Sequence, residues 1–339
     1  MNLDHQDQSA LKMLKMSVIF LVLSIAAVVI KPASQAPAQE GVEISKYMYT
    51  VRTEHLSDGL ELRSTFVASS RDVATVNFLN ECKAASANWT GRIILRSRHQ
   101  AFLVLQRVLG WSQTDAMVFL GHATMFAASQ DQLGNLIRSR QWPIRQYTTM
   151  LDVGAGSGSV TQTVASAFKI PASNVKALEV SLPLRRALTR RGFQAIGSFN
   201  ELDMPDFDVV ALLHVLDRCD QPADLLQQTA HRVAVGGSLL IASPLPFCAK
   251  VWTGSFGSVM VSRAPRRPLL FSSAASCDSK SSFETSASAF AAEVLQPLRD
   301  IGFVLLAWTR VPYLSSAVTQ THHALDSALF VLRRVHTDK

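Results

Sequence analysis

The stretch that decides the fold is Leu151-Asp152-Val153-Gly154-Ala155-Gly156-Ser157-Gly158, which ends an apolar segment and precedes a segment that can form a helix. Glycine at every second position lets the backbone turn sharply and lets a ligand approach main-chain atoms that a Cβ would shield. The spacing is GxGxG and differs from the GxGxxG of dinucleotide sites. A strand, a tight turn and a helix in this order predict a cofactor site across the ends of parallel strands.

Two acidic residues refine this prediction. Glu179 ends the next apolar segment, where its carboxylate can accept hydrogen bonds from both hydroxyls of a ribose; the alternative is an exposed strand-end residue satisfied by water. Asp152 either caps the loop or orders it around the amino group of a bound methionine moiety. The chain lacks the GK[ST] element of triphosphate sites. With Gly154, Gly156 and Gly158, the two acids therefore predict an adenosyl cofactor, S-adenosylmethionine.

Seven apolar segments around this loop predict the strands of one sheet. They are Thr148 to Val153, Val175 to Val180, Phe193 to Gly197, Phe207 to Val215, Gly237 to Ser243, Phe303 to Thr309 and Ala328 to Arg333. The first five alternate with helical segments, as the crossovers between parallel strands require. The last two are joined without a long helix, which predicts a terminal antiparallel hairpin. The fold class is α/β, with a mostly parallel, Rossmann-like sheet.

The chain divides into three predicted parts. Residues 1–40 read as a targeting segment and linker, residues 41–145 as a mainly helical N-terminal extension, and residues 146–337 as the sheet domain. A Ser-rich segment at 253–284 has little periodicity and is interpreted as a surface insertion.

The N-terminal residues have the pattern of a targeting segment. Lys12 and Lys15 precede an uncharged apolar run from Met16 to Ile30, and a Pro/Ala/Gln-rich stretch follows. This predicts a signal peptide or signal anchor and a place in the secretory or endomembrane system, the endoplasmic reticulum above all. The run is shorter than the roughly 20 residues that span a bilayer, which favours cleavage over membrane association through residues 16–30. A buried core helix is the remaining alternative, and the sequon at Asn88 fits a lumenal address.

Charge and cysteine spacing indicate no further class of function. The 33 basic and 26 acidic residues give a net charge of +7, but the basic residues are scattered, so no nucleic-acid partner is indicated. Neither a metal site nor a disulfide framework is predicted, because the four cysteines lie far apart and the pair at His322 and His323 lacks a third ligand.

A longer stretch resembles a known family. Residues 206–222 read DFDVVALLHVLDRCDQP and resemble the DREV family, also called the methyltransferase-like protein 9 family, with LDRCDQP as the most specific match. Further matches are LPF at 245–247, GFV at 302–304, TRVPYL at 309–314 and ALFVL at 328–332, with MF at 125–126 and SQDQL at 129–133 upstream. The resemblance covers roughly residues 90 to 335.

The resemblance implies the class I S-adenosylmethionine-dependent methyltransferase fold and protein-histidine N-methyltransferase activity. In the family the methyl group goes to the pros nitrogen of histidine in His-x-His motifs with a small x, so histidine-containing proteins or peptides are the implied partners. The matching positions are Asp152, Gly154 and Glu179 for the cofactor, with Asp217 and Tyr313 near the substrate.

The chain also departs from the family. His214 stands where the family usually has asparagine, and Ser157 and Ser159 replace acidic residues of the loop. His214 is interpreted as a substrate contact, a pH-sensitive group or a satisfied core histidine. Tyr313 either donates a hydrogen bond to the substrate, lines the substrate pocket or contributes only to packing.

Asp217 follows the fourth predicted strand, on the carboxyl edge where ligands gather. There it can accept the N–H of a substrate imidazole and stabilise the growing positive charge; the alternatives are pairing with Arg218 or capping the next helix. Cys219 and Asp220 are interpreted as structural, a buried thiol and an N-cap.

Two further functions remain open at this point. One is a methyltransferase for a small molecule or a lipid, because the first five strands reveal the cofactor better than the acceptor. The other is a non-catalytic relative that binds the cofactor.

Overall fold

The computed structural model describes residues 54–56, 60–62, 77, 100–102, 104–105, 116, 125–138, 146–253, 261–266, 269, 283–316 and 322–336. The N-terminal apolar run, the sequon at Asn88 and most of the predicted helical extension lie outside the described residues. Within these ranges, no helix has both the length and the apolar character that crossing a bilayer requires.

Strands and helices alternate through the middle of the described chain. The strands are β1 (Glu54–Leu56), β2 (Leu60–Leu62), β3 (Met125–Phe126), β4 (Met150–Val153), β5 (Val175–Leu178), β6 (Gln194–Ile196), β7 (Phe207–Leu213), β8 (Val233–Pro244), β9 (Val251–Thr253), β10 (Val261–Arg263), β11 (Phe303–Ser316) and β12 (His322–Arg334). The α-helices are α1 (Gln130–Arg138), α2 (Ser159–Ala167), α3 (Leu182–Arg190), α4 (Pro222–Ala230) and α5 (Phe283–Asp300).

One sheet organises the domain, with the strand order β3-β11-β12-β8-β7-β4-β5-β6. Strand β4 is central and pairs in parallel with β5 and β7, whereas β12 runs antiparallel to both β8 and β11. All seven predicted strands lie in this sheet, and the terminal antiparallel hairpin is confirmed. The structure adds β3, a short strand that pairs with β11 at the sheet edge.

Helices cover both faces of the sheet, as the continuous apolar run of β7 from Val209 to Leu213 indicates. Val210 and Leu212 belong to a core cluster shared with α4 and α5, whereas Val209 and Ala211 belong to a cluster shared with α1, α2 and α3. All four side chains are fully buried. Successive strand residues point to opposite faces, so the sheet is the middle of three layers and its carboxyl edge remains for the site.

Two regions differ in detail from the sequence prediction. Within the extension predicted to be mainly helical, β1 pairs with β2 in a short antiparallel hairpin. The segment interpreted as an irregular insertion starts with another hairpin, in which β9 pairs with β10. Both strand pairs are only three residues long, too short for period-two alternation to stand out in the sequence.

One cysteine forms a disulfide bond that the sequence pattern did not indicate. Cys248 is disulfide-bonded, and its partner lies outside the described residues; Cys219 is a free thiol. Spacing along the chain did not reveal the bond, because folding, not sequence proximity, brings its two cysteines together.

Candidate active site

The glycine loop, residues 154–158, turns away from β4 with its backbone in a conformation that other residues rarely adopt. Gly154, Gly156 and Gly158 have φ of 77°, 55° and 81°. In this left-handed region a Cβ costs about 1–2 kcal/mol. The main-chain N–H of Gly154 donates to the carbonyl of Leu178 at 2.8 Å, which fastens the loop to the end of β5.

The three glycines differ in their surroundings. A Cβ at Gly154 would lie 2.5 Å from Cγ2 of Val215, and one at Gly158 would lie 2.8 Å from Cδ2 of Leu188. A Cβ at Gly156 would meet nothing within 4 Å. Gly154 and Gly158 therefore serve close packing, whereas Gly156 faces open space that a ligand can enter.

Glu179 lies directly against this open glycine. Its Oε2 accepts the main-chain N–H of Gly156 at 3.0 Å and its Oε1 accepts that of Ser181, also at 3.0 Å. The residue is only 9% exposed. A carboxylate accepts about four hydrogen bonds, so these two are compatible with further bonds from two ribose hydroxyls. The exposed, water-satisfied alternative for Glu179 does not describe this side chain.

Asp152 is also buried. Its Oδ2 accepts the Thr161 hydroxyl at 2.6 Å, which ties β4 to α2. Burial raises the pKa of Asp152 to about 6; the Thr161 hydrogen bond opposes this, and the charge of Glu179 adds to it. At neutral pH the carboxylate is mainly ionised at a desolvation cost, which a nearby cation such as an amino group would offset.

A second group of residues, the Tyr313 cluster, comprises Met125, His214, Asp217, Arg218 and Tyr313. The Tyr313 ring stacks on the His214 ring with centroids 3.9 Å apart and planes 17° apart, and its hydroxyl donates to Sδ of Met125 at 3.3 Å. Nη2 of Arg218 lies 3.5 Å from the Tyr313 hydroxyl and 3.4 Å from Oδ2 of Asp217. The structure thus brings together all three residues that the sequence predicted as catalytic, His214, Asp217 and Tyr313.

One carboxylate oxygen of Asp217 receives no hydrogen bond from the described residues. Oδ1 is buried and has no hydrogen-bond partner among the described residues, while the main-chain carbonyl accepts the N–H of Lys250 at 2.8 Å. The pairing with Arg218 that the sequence left open occurs, but at 3.4 Å and through Oδ2 only. Because an unsatisfied buried acceptor costs about 1–3 kcal/mol, Oδ1 is suited to a donor that arrives with a ligand.

His214 has an unusual backbone and environment. Its φ is 57°, in the left-handed region where histidine is enriched among non-glycine residues. The ring is buried, and its Nε2 lies 2.8 Å from Oγ of Ser327. Burial lowers the pKa of His214 to about 3, with a further contribution from the positive charge of Arg218.

The glycine loop and the Tyr313 cluster are neighbours. Val215, next to His214, supplies the side chain that excludes a Cβ at Gly154. Met125, in contact with Tyr313, also accepts the Ser159 hydroxyl through its carbonyl at 3.5 Å, at the start of α2. The predicted cofactor residues and the predicted substrate residues therefore share one edge of the sheet.

Asp220 does not have the predicted role. It precedes the N-cap of α4, Gln221, and accepts hydrogen bonds from Arg263 at 2.6 Å and from the main chain of Arg266 at 3.0 Å. These bonds lower the pKa of Asp220 to about 2. The carboxylate therefore fastens the loop after β7 to the β9–β10 hairpin, instead of capping a helix.

Cys219 agrees better with its interpretation as structural. The thiol is half-buried, and burial raises its pKa to about 11, so it stays protonated at neutral pH. A protonated thiol is a poor nucleophile.

Several neighbours of these residues were not found by sequence reasoning. Arg218 and Met125 stand in the family-like strings, yet no sequence spacing places them on Tyr313. Ser327 carries no signal at all, since a lone serine in an apolar strand has many uses. Within the described ranges, no group of three or more His, Cys, Asp or Glu side chains could hold a metal ion.

The model of the DREV methyltransferase family matches residues 48–334, which is most of the sequence. The chain belongs to the DREV methyltransferase family. The match begins at residue 48, upstream of the stretch from about residue 90 that resembles the family most clearly. It makes this protein an S-adenosylmethionine-dependent methyltransferase of class I, in agreement with the strand order and the glycine loop.

Solved structures give distant likenesses to this DREV methyltransferase. The complex of DhpI with SAH is 14% identical, with a TM-score of 0.35 over 56% of this chain and 78% of that one. The N-methyltransferase NodS of Bradyrhizobium japonicum is 14% identical, with a TM-score of 0.36 over 61% and 94%. A putative RNA methyltransferase of Pyrococcus horikoshii is 13% identical, with a TM-score of 0.38 over 62% and 83%. Likenesses at this level identify no substrate.

The DREV chain has residues that fit S-adenosylmethionine. The open space beside Gly156 lets a ligand approach the main chain. The carboxylate of Glu179, next to that space, can accept hydrogen bonds from the ribose hydroxyls. The ionised carboxylate of Asp152 suits the amino group of the methionine part. All lie at the carboxyl ends of β4 and β5.

Two alanine substitutions in the DREV glycine loop separate packing from binding. Gly156→Ala is expected to weaken cofactor binding tenfold or more, about 1.4 kcal/mol, and to lower unfolding stability by no more than about 1–2 kcal/mol. Gly154→Ala adds a clash with Val215, so its main effect is on stability. Calorimetric titration and thermal unfolding of both variants check this; equal stability losses would contradict it.

Proposed function

We propose that this DREV methyltransferase transfers a methyl group to the pros nitrogen, Nδ1, of histidine in His-x-His-type motifs of proteins or peptides. One observation carries the proposal beyond family membership. Oδ1 of Asp217 is a buried acceptor without a partner among the described residues, and Arg218 links this carboxylate to Tyr313 on the edge that holds the cofactor residues. An imidazole N–H is a donor of the right kind for it.

Asp217 acts on the nitrogen that is not methylated. By accepting the Nε2–H of the substrate ring, the carboxylate selects the tautomer whose Nδ1 lone pair is available. The same carboxylate stabilises the positive charge that grows on the ring, and it takes the Nε2 proton, which then passes to water.

Bound at this site, S-adenosylmethionine would supply a methyl group from its sulfonium. The Nδ1 lone pair of the substrate would form the new N–C bond, and the electron pair of the broken C–S bond would remain on the neutral thioether. The chain contributes alignment and exclusion of water more than covalent chemistry. Tyr313, only 6% exposed and stacked on His214, provides a rigid wall for that purpose.

A peptide assay tests the proposal. We expect a His-Ala-His peptide to gain one methyl group from labelled S-adenosylmethionine, and an Ala-Ala-Ala control to gain none. Hydrolysis and chromatography against pros- and tele-methylhistidine standards identify the nitrogen. Retained cofactor binding with no labelled peptide would overturn the proposal. Label in small-molecule or lipid fractions would then favour the methyltransferase of that class.

We also propose that the protein works in the secretory or endomembrane system, in the endoplasmic reticulum above all. The lysines before the run from Met16 to Ile30 support this, as does the disulfide at Cys248, because such bonds persist in oxidising compartments. N-terminal sequencing of protein from its source cells would distinguish a cleaved signal from an anchor at residues 16–30.

A further inference from the structure

We infer that Ser327 is a positioning residue, which holds His214 in the tautomer protonated at Nε2 and so leaves Nδ1 as the acceptor that the ring presents within the Tyr313 cluster. Ser327 lies on β12 and Ser243 on β8, two strands that pair directly. Both serines are fully buried. His214 reaches them from the end of β7, so three strands meet at this contact.

The tautomer follows from counting protons. Oγ of Ser327 lies 2.8 Å from Nε2 of His214 and donates to the Ser243 carbonyl at 2.9 Å. A serine hydroxyl has one proton, and it cannot serve both contacts. With that proton on the Ser243 side, the proton of the other contact comes from Nε2 of His214. The reverse arrangement would lose the hydrogen bond from Ser327 to the Ser243 carbonyl, and a hydrogen bond of this kind contributes about 0.5–1.5 kcal/mol.

Only a neutral ring has a tautomer to select, and His214 is neutral. The ring is enclosed by Tyr313 and Ser327, the nearby charged groups are Arg218 and Asp217, and burial holds its pKa well below neutrality. One ring nitrogen therefore carries a proton and the other a lone pair across the physiological pH range.

The consequence concerns what the site recognises. An asparagine at position 214 would carry both a donor and an acceptor on its amide, whereas this locked ring offers an acceptor alone. We therefore expect Nδ1 of His214 to accept a hydrogen bond from an N–H group of the substrate. The tautomer of His214 does not depend on which molecule receives the methyl group. Its consequence for the choice of substrate rests on the proposed function.

Nitrogen NMR of the full chain labelled with ¹⁵N-histidine tests the tautomer without any substrate. His214 is assigned by the signals that disappear in His214→Asn. We expect protonated Nε2 and unprotonated Nδ1 in the wild type and in Ser327→Thr, which keeps the hydroxyl. Ser327→Ala is expected to shift the ring toward a tautomer mixture. A wild-type ring protonated at Nδ1 would overturn the inference on its own, even if Ser327→Ala fails to fold.

Kinetics of the same variants add a second readout. Ser327→Ala is expected to lower kcat/KM for the peptide about 5- to 20-fold, mainly through KM, at unchanged affinity for S-adenosylmethionine. Ser243→Ala is the matched control, because only its main-chain carbonyl takes part. An equal change of kcat/KM in both serine variants, or an unchanged tautomer in Ser327→Ala, would contradict a positioning role. Absence of peptide methylation with the expected tautomer would instead count against the proposed function.

Discussion

Asp217→Asn is expected to lower kcat for the His-x-His peptide by about 100- to 10,000-fold, the range typical of a lost acid–base group. The amide has nearly the shape of the carboxylate, so packing near Arg218 and Tyr313 is preserved. It has no charge to stabilise the ring in the transition state, and it cannot take the Nε2 proton. The Kd for S-adenosylmethionine is expected to change by less than about twofold, since the contacts of Asp217 with Arg218 and Lys250 lie outside the glycine loop.

The matched control is Asp206→Asn, which removes the same charge from an exposed position in the same stretch of sequence. Single-turnover rates with a saturating peptide, together with calorimetric cofactor titration, separate chemistry from binding. If both variants kept wild-type rates, Asp217 would not be the residue that handles the imidazole proton.

Glu179→Gln is expected to weaken binding of S-adenosylmethionine roughly 10- to 100-fold, as the loss of charge-assisted hydrogen bonds predicts. Gln has one acceptor oxygen where Glu has two, yet the main-chain N–H groups of Gly156 and Ser181 each bond a different carboxylate oxygen. One of these N–H groups would then face an amide nitrogen. The loop that shapes the site should therefore loosen in addition to losing ribose contacts.

Glu201→Gln is the control for this second prediction. Glu201 also accepts a main-chain N–H, that of Gly197 at 3.2 Å, at the end of the neighbouring strand β6, but it is exposed. The Kd of the Glu201→Gln variant for S-adenosylmethionine should remain at the wild-type value. Calorimetric titration measures the Kd of both variants. An equal weakening of cofactor binding in the two variants would contradict the assignment of Glu179 to the cofactor site.

The sequence predicted what short-range patterns determine. The apolar runs of β4 to β8 and the alternation with helices gave the α/β class. The glycines at 154, 156 and 158 marked positions that the structure shows with positive φ. Their separate functions stayed hidden, because the difference between Gly154 and Gly156 is made by Val215, about sixty residues away in sequence. Distance along the chain is what single-sequence reasoning could not bridge.

The same reason accounts for the other differences. Asp220 looked like a helix cap because Pro222 follows it, yet its partners Arg263 and Arg266 come from a segment without visible pattern. Cys248 gave no spacing signal. The substrate side was named from family resemblance, and the structure supplied the physical content: an orphaned oxygen on Asp217 and a ring stack on Tyr313.

The long separation of the Tyr313 cluster along the chain also governs when the enzyme becomes complete during synthesis. Arg218 and Tyr313 are 95 residues apart, and His214 and Ser327 are 113 apart. At about 5–20 residues per second, a ribosome needs several seconds to add such an interval. The glycine loop, Glu179 and Asp217 thus emerge well before β11 and β12, and the Tyr313 cluster is complete only when the C-terminal hairpin joins the sheet. Until then the nascent chain carries the proposed cofactor residues and Asp217 without Tyr313 and Ser327, so the proposed methyl transfer awaits the two strands that supply them.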